Sequence, residues 1–188
     1  MKTIAVLAVQ GAFAEHAACL SRLGVQVIEL RQLADLSQPF DGLVLPGGES
    51  TVQGKLLQEQ GMLEPLREKI RAGMPVLATC AGLILLASSL SNDDHVYFGT
   101  LPVTVRRNGY GRQLGSFHTV DRFGPLEAVP MTFIRAPYIE TPAPEVEILS
   151  QTDGRITGVR YGRQIGISFH PELTEDLSIH RYFLSLVE

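Results

Sequence analysis

The chain has 188 residues, 45% of them hydrophobic, which is enough for one globular domain with a sizeable core. Its 16 Lys and Arg stand against 20 Asp and Glu for a net charge of -4, with no long run of either sign to serve nucleic acid or an anionic membrane. No apolar stretch approaches the roughly 20 residues that cross a bilayer, and two cysteines make no disulfide framework, so a soluble, cytoplasmic chain is expected.

The opening MKTIAVLAVQGAF has one Lys and an apolar run, but Gln10 and then Glu15-His16 interrupt it, so a first strand is expected in place of a leader. The aliphatic run TIAVLAV predicts that strand. After Gln10-Gly11 comes the helical pattern AFAEHAACLSRLG, with Gly24 placed to cap it. The plan repeats with VQVIEL and DGLVLP as strands, MLEPLREKIRAG as a helix ending at Gly73, and PVLAT as a strand. Such alternation predicts parallel strands covered by helices on both faces.

Beyond position 100 the segments shorten to LPVTVRR, QLGSFHTV and MTFIRAP, an antiparallel or edge-like region. EVEILSQ and RITGVRY flank Thr152-Asp153-Gly154, and RQIGISF follows Gly162, so a three-stranded meander is expected. The closing TEDLSIHRYFLSLVE predicts a helix with Thr174 as N-cap and Glu175 and Asp176 in its first turn. The fold class is α/β: residues 1–188 form one three-layer domain, with a mostly parallel central sheet, helices on both faces and an additional antiparallel strand region.

Three segments carry chemistry. In PVLATCAGLILLA, Cys80 falls between a strand pattern and a helix pattern, at the carboxyl end of a parallel strand, where open α/β sheets bind ligands. The small neighbours Ala78, Ala81 and Gly82 let the backbone turn sharply, as in a nucleophile elbow, although Ala78 stands where such elbows carry their first Gly. A helix starting there would aim N–H groups at the sulfur, favouring thiolate and offering an oxyanion site. A buried structural cysteine is the competing reading; Cys19, in a helical pattern, has that reading alone.

In ISFHPELT, His170 follows a strand pattern, and in an extended backbone Glu172 would project from the same face and orient the imidazole. Pro171 stiffens the pair. His16, His95, His118 and His180 read as structural or surface histidines, His16 with some claim on a partner interface. In LVLPGGESTVQGKL, five residues separate Gly48 from Gly54 and Leu56 follows Lys55, so the loop does not fit a phosphate-binding P-loop. Backbone N–H groups of Gly47 and Gly48 suit an oxyanion better.

TCAGL, LPGGES and SFHPE together resemble the triad-type class I glutamine amidotransferases. VQGAFAEH, GGEST, ATCAGLI, RRNGYGRQ, FIRAP and SFHPELT, spanning residues 9 to 174, look like the glutaminase subunit of pyridoxal 5'-phosphate synthase. The resemblance implies an amidotransferase-like fold with Cys80 as nucleophile, His170 as general base and acid, and Glu172 as the orienting carboxylate. It implies glutamine contacts from Gly48, Glu49, Ser50, Arg107, Ile134 and Arg135, oxyanion donors at Gly47, Gly48 and Ala81, and a loop-supporting role for Gln10. Tyr138 stands where a His often follows Ala-Pro in this family, and His118 where an acidic residue is common.

The implied reaction is hydrolysis of L-glutamine to glutamate and ammonia through a cysteine thioester, with neither metal nor cofactor. The ammonia would pass to a barrel-fold synthase subunit, in a hetero-oligomeric complex, that builds pyridoxal 5'-phosphate from ribose 5-phosphate and glyceraldehyde 3-phosphate. The alternatives are a glutaminase serving another synthase, a non-catalytic regulatory protein on the same fold, and a cysteine peptidase.

Overall fold

The first strand, β1 (Thr3–Leu7), shows why an unbroken apolar run is needed in a strand covered on both faces. Side chains alternate across a strand, and here Ile4 and Val6 enter one apolar cluster while Ala5 and Leu7 enter the other, on the opposite face. The computed structural model describes residues 1–109 and 115–188.

In chain order, β1 is followed by α1 (Phe13–Arg22), β2 (Gln26–Leu30), β3 (Gly42–Leu45), α2 (Ser50–Glu59), α3 (Leu63–Arg71), β4 (Val76–Thr79) and α4 (Ala81–Leu86). Then come β5 (Ala87–Leu90), β6 (Leu101–Arg106), β7 (Ser116–Phe123), β8 (Leu126–Ile134), β9 (Tyr138–Pro142), β10 (Glu147–Thr152), β11 (Arg155–Tyr161), β12 (Gln164–Ile167) and α5 (Ser178–Leu184). The main sheet has ten strands in the order β2-β1-β3-β4-β12-β11-β9-β6-β5, with β10 paired to β11. Pairing is parallel from β2 through β12. It becomes antiparallel across β12, β11, β9 and β6, and is parallel again at β5.

Leu57, Leu66 and Leu83, from α2, α3 and α4, fill one side of the sheet; Leu20 of α1 and Phe183 of α5 fill the other, with Val129, Met131 and Phe133 of a separate β7-β8 hairpin. The expected meander is present as β10-β11-β12. Gly24 and Gly73 take positive φ just past α1 and α3, as helix-closing glycines do.

Several expectations need correction. Thr174 does not cap the last helix, which begins only at Ser178 with Leu177 at the N-cap; Asp176, one residue before it, accepts the Ser178 N–H at 2.7 Å through Oδ1. The segment carrying Glu172 is not extended: Pro171–Leu173 is a 3-10 turn. GGEST is not all loop, since α2 begins at Ser50. No helix among the described residues is long and apolar enough to cross a membrane.

Candidate active site

In a parallel sheet ordered β2-β1-β3-β4, the chain leaves β1 and β3 towards opposite faces, and the crevice so opened lies beyond the strands' carboxyl ends. Gln10 follows β1, Gly47-Gly48-Glu49 follow β3, Cys80 follows β4 and His170 follows β12. Four neighbouring strands thus deliver the candidate residues to one edge. Gln10, Gly48, Glu49, Ser50, Cys80, Ala81, Arg107, Ile134, Arg135 and His170 all line a single open cleft there.

Cys80 sits at φ 52° and ψ -103°, a conformation that costs a non-glycine residue about 1–3 kcal/mol. Two contacts hold it: its N–H donates to Ile167 O at 2.8 Å, and Gly82 presses so closely on the end of β3 that a Cβ would lie 2.2 Å from Leu45 O. The expected elbow is there, although α4 behind it runs only six residues.

The His170 ring packs on the oxyanion loop: a Cβ on Gly47 would come within 2.3 Å of its Cε1. His170 N–H donates to Thr132 O of β8 at 2.8 Å. Its Nδ1 meets Glu172 Oε1 at 2.6 Å, which leaves Nε2 as the nitrogen available to the Cys80 sulfur in the cleft that both residues line. Sulfur and imidazole therefore open on one cleft, and the 3-10 turn, not an extended strand, brings Glu172 back to the ring.

Burial by itself would lower the His170 pKa, but the neighbouring Cys80 sulfur and Glu172 carboxylate outweigh it and push the group up to about 10. Burial would raise Glu172; His16 and the hydrogen bond from His170 hold it below its ordinary value instead. His16 is itself fully buried, and burial pushes its pKa down, so it acts on Glu172 as a neutral N–H dipole and not as a cation. The place expected for His16 at a partner interface is thereby corrected: α1 turns Cys19, Leu20 and His16 inward together.

Gln10 Oε1 accepts the Glu49 N–H at 2.9 Å, while Ala12 N–H donates to Gly47 O at 2.9 Å. Gln53 reinforces both sides from α2, donating to Gln10 O at 3.1 Å and Pro46 O at 3.2 Å. Arg107 lies on the cleft wall with its guanidinium already engaged, at 2.8 Å from Asp93 Oδ2 and 3.3 Å from Thr51 Oγ1. Arg135 is exposed at φ 43°, with no ion-pair partner among the described residues. The later half of RRNGYGRQ, residues 110–113, lies outside the described residues. Sequence reasoning missed Thr79, Gln53, Asp93 and the inward-facing His16 and His180; only the helical spacing of His16 with Cys19 and Leu20 carried a signal for any of them.

A buried, proton-holding imidazole between a thiol and a carboxylate, beside a glycine loop, can run acyl transfer from an amide. Comparison with known proteins narrows this. The profile of the SNO glutamine amidotransferase family matches residues 6–188. The chain belongs to that family. It is 64% identical over 184 residues to the "Pyridoxal 5'-phosphate synthase subunit PdxT" of Desulfitobacterium hafniense (strain DSM 10664 / DCB-2), covering 98% of this chain and 92% of the relative. The protein of the same name from Bifidobacterium longum (strain NCC 2705) is 51% identical over 187 residues, covering 96% and 98%. Among solved structures, a glutamine amidotransferase crystal structure superposes with a TM-score of 0.93 at 39% identity, covering 97% of both chains. A chain of the PurLQS structure from Thermotoga maritima matches at TM-score 0.66 and 15% identity, covering 98% and 97%, a likeness of fold alone. The amidotransferase-like α/β fold expected from the motifs is the fold of this family.

Proposed function

We propose that residues 1–188 form one glutaminase domain that hydrolyses L-glutamine and supplies ammonia to pyridoxal 5'-phosphate synthesis. The observation that carries this reading is the His170 ring, 2.6 Å from Glu172, packed against Gly47 and lining one cleft with Cys80. The relatives' names supply the acceptor pathway.

Cys80 attacks the side-chain amide carbon of glutamine as a thiolate, forming the C–S bond while the carbonyl oxygen becomes an oxyanion. The N–H groups of Gly47, Gly48 and Ala81 stabilise that oxygen. His170 gives its proton to the nitrogen, the C–N bond breaks, and ammonia leaves with a γ-glutamyl thioester behind it. The same imidazole then takes a proton from water, whose oxygen displaces the sulfur and releases glutamate. Glu172 keeps the ring in register through both halves.

Arg135, without an ion-pair partner among the described residues, and Arg107 hold the α-carboxylate of free glutamine, with Glu49, Ser50 and Ile134 lining the amino-acid cleft. Ammonia in neutral water is mostly protonated and no longer nucleophilic, so the reading includes direct transfer to a barrel-fold synthase subunit docked on this chain in the cytoplasm. That subunit joins it with ribose 5-phosphate and glyceraldehyde 3-phosphate. Contact near Gln10, Gly11 and α1 would set the oxyanion loop, so the mixture should outpace the isolated chain.

The test is Cys80→Ala in the reconstituted pair. Glutamine-dependent pyridoxal phosphate formation should vanish while ammonia-dependent formation persists. Equal loss with both nitrogen sources would assign Cys80 a structural part only.

A further inference from the structure

The buried chain of polar groups does not stop at the third member of the triad. Glu172 Oε1 is taken by His170, but Oε2 is buried with no close hydrogen-bond partner among the described residues. The group facing it is Nε2 of His16, 3.4 Å away and also 3.1 Å from Thr79 Oγ1, on the residue before the nucleophile. His16 Nδ1 in turn lies 2.9 Å from Nε2 of His180, which α5 contributes from the far end of the chain. Both imidazoles are fully buried.

The hydrogen positions follow from the surroundings. If His16 carried its proton on Nδ1, its Nε2 lone pair would face the Glu172 carboxylate. His180 would then have to accept at Nε2 and bury an N–H at Nδ1, which has no partner among the described residues. With the proton on His16 Nε2, the imidazole donates towards Glu172 and Thr79, and His180 donates into His16. Only a lone pair is then left over at His180 Nδ1, and an unpaired buried acceptor is tolerated better than an unpaired donor.

We propose that His16, held by His180, is a positioning residue that fixes the Glu172 carboxylate and, through it, the His170 ring. The inference rests on the triad reading above. Two neutral imidazoles taken wholly out of water are a costly way to fill a core that leucine would fill better. Their cost is offset only if the aim of the donor on Glu172 matters. The contact also ties α1 to the reacting groups: Ala12, one turn before His16, holds Gly47 O, so one helix steadies both the oxyanion loop and the carboxylate.

The experiment measures glutamine hydrolysis with the synthase subunit present at saturation. His16→Leu keeps the bulk and removes the donor; kcat should fall by about tenfold to a hundredfold, with KM changed by less than about threefold, the mark of an outer-layer orienting group. His16→Gln places an amide N–H near the position of Nε2 and should recover most of the rate. His16→Asn reaches only as far as Nδ1 and should not. The Gln and Asn pair decides the matter even if the leucine variant does not fold, because both are polar and of kindred size.

A His16→Leu enzyme with parental kcat, or equal rates for Gln and Asn, overturns the proposal. Cys80→Ala is the internal reference. If it is inactive while His16→Leu is fully active, only the positioning role falls; if Cys80→Ala still hydrolyses glutamine, the triad reading and this inference fall together.

Discussion

Gly47→Ala tests the packing of the catalytic ring against the oxyanion loop. The φ of Gly47 is not in the left-handed region, so alanine meets no backbone penalty there, and the effect is steric. The added methyl would lie 2.3 Å from His170 Cε1 and 2.8 Å from Nδ1. Non-bonded carbons rest about 3.5–4.0 Å apart, so the ring must retreat by about 1 Å or more. It has nowhere to go without loss: Glu172 holds Nδ1 at 2.6 Å, and the main chain is pinned to Thr132. A displacement of about 1 Å in a reacting group costs roughly a hundredfold in rate, equivalent to about 2.7 kcal/mol. Overpacking should also cost about 1–3 kcal/mol of stability. Ammonia release at saturating glutamine, with the synthase present, reads the first effect, and thermal unfolding the second. A Gly47→Ala enzyme that turns over at the parental rate would refute the claim that the ring rests on this glycine.

Two further predictions concern pH and substrate affinity. Because the folded-state pKa of His170 is raised to about 10 from 6.5, its stabilising contribution is whole below pH 6.5 and drains away as the pH climbs to about 10. His180, which burial pushes down to about 3, acts at the other end: the unfolded chain takes up that proton first, so stability falls as the pH drops from 6.5 towards 3. Melting temperatures across this range should pass through a maximum near neutrality, with Glu172→Gln flattening the alkaline limb and His180→Gln the acid one. An alkaline limb unmoved by Glu172→Gln would show that the pair does not raise His170. Arg135→Ala should raise KM for glutamine by about 10- to 100-fold, the worth of a charge-assisted hydrogen bond, with kcat little changed; an unchanged KM would remove Arg135 from substrate binding.

What could be read from the sequence was what is local in it. The β1 run announces a strand buried on both faces, Gly24 and Gly73 mark helix ends, and the Cys80 turn carries its own small residues. Cys80, His170 and Glu172 stood out for the same reason, since each sits in a short segment with a mechanical signature. Helix α2 was not, because Ser50, Thr51, Val52 and Gly54 are weak helix formers and the helix is stabilised by packing Gly54 against Tyr97, a contact across 43 residues. The same holds for the pairing of His16 with His180, 164 residues apart, and for Asp93 at Arg107. The misplaced cap at Thr174 has a different cause: Pro171 starts a 3-10 turn, and that turn delays the helix.

Thr79 and Ile167 are register partners in adjacent parallel strands, and the nucleophile and the imidazole leave from just beyond them. The separation of the two backbones that lead to sulfur and ring is therefore set by strand pairing in the sheet, about 4.8 Å. Insertions into the turns between these strands leave that spacing untouched, whereas the β7-β8 hairpin is tied to the site, since Thr132 O anchors the His170 N–H and Ile134 and Arg135 line the cleft. A single residue added inside β12 would instead turn the imidazole to the far side of the sheet. The tolerance for an inserted residue is therefore smallest in β4 and β12.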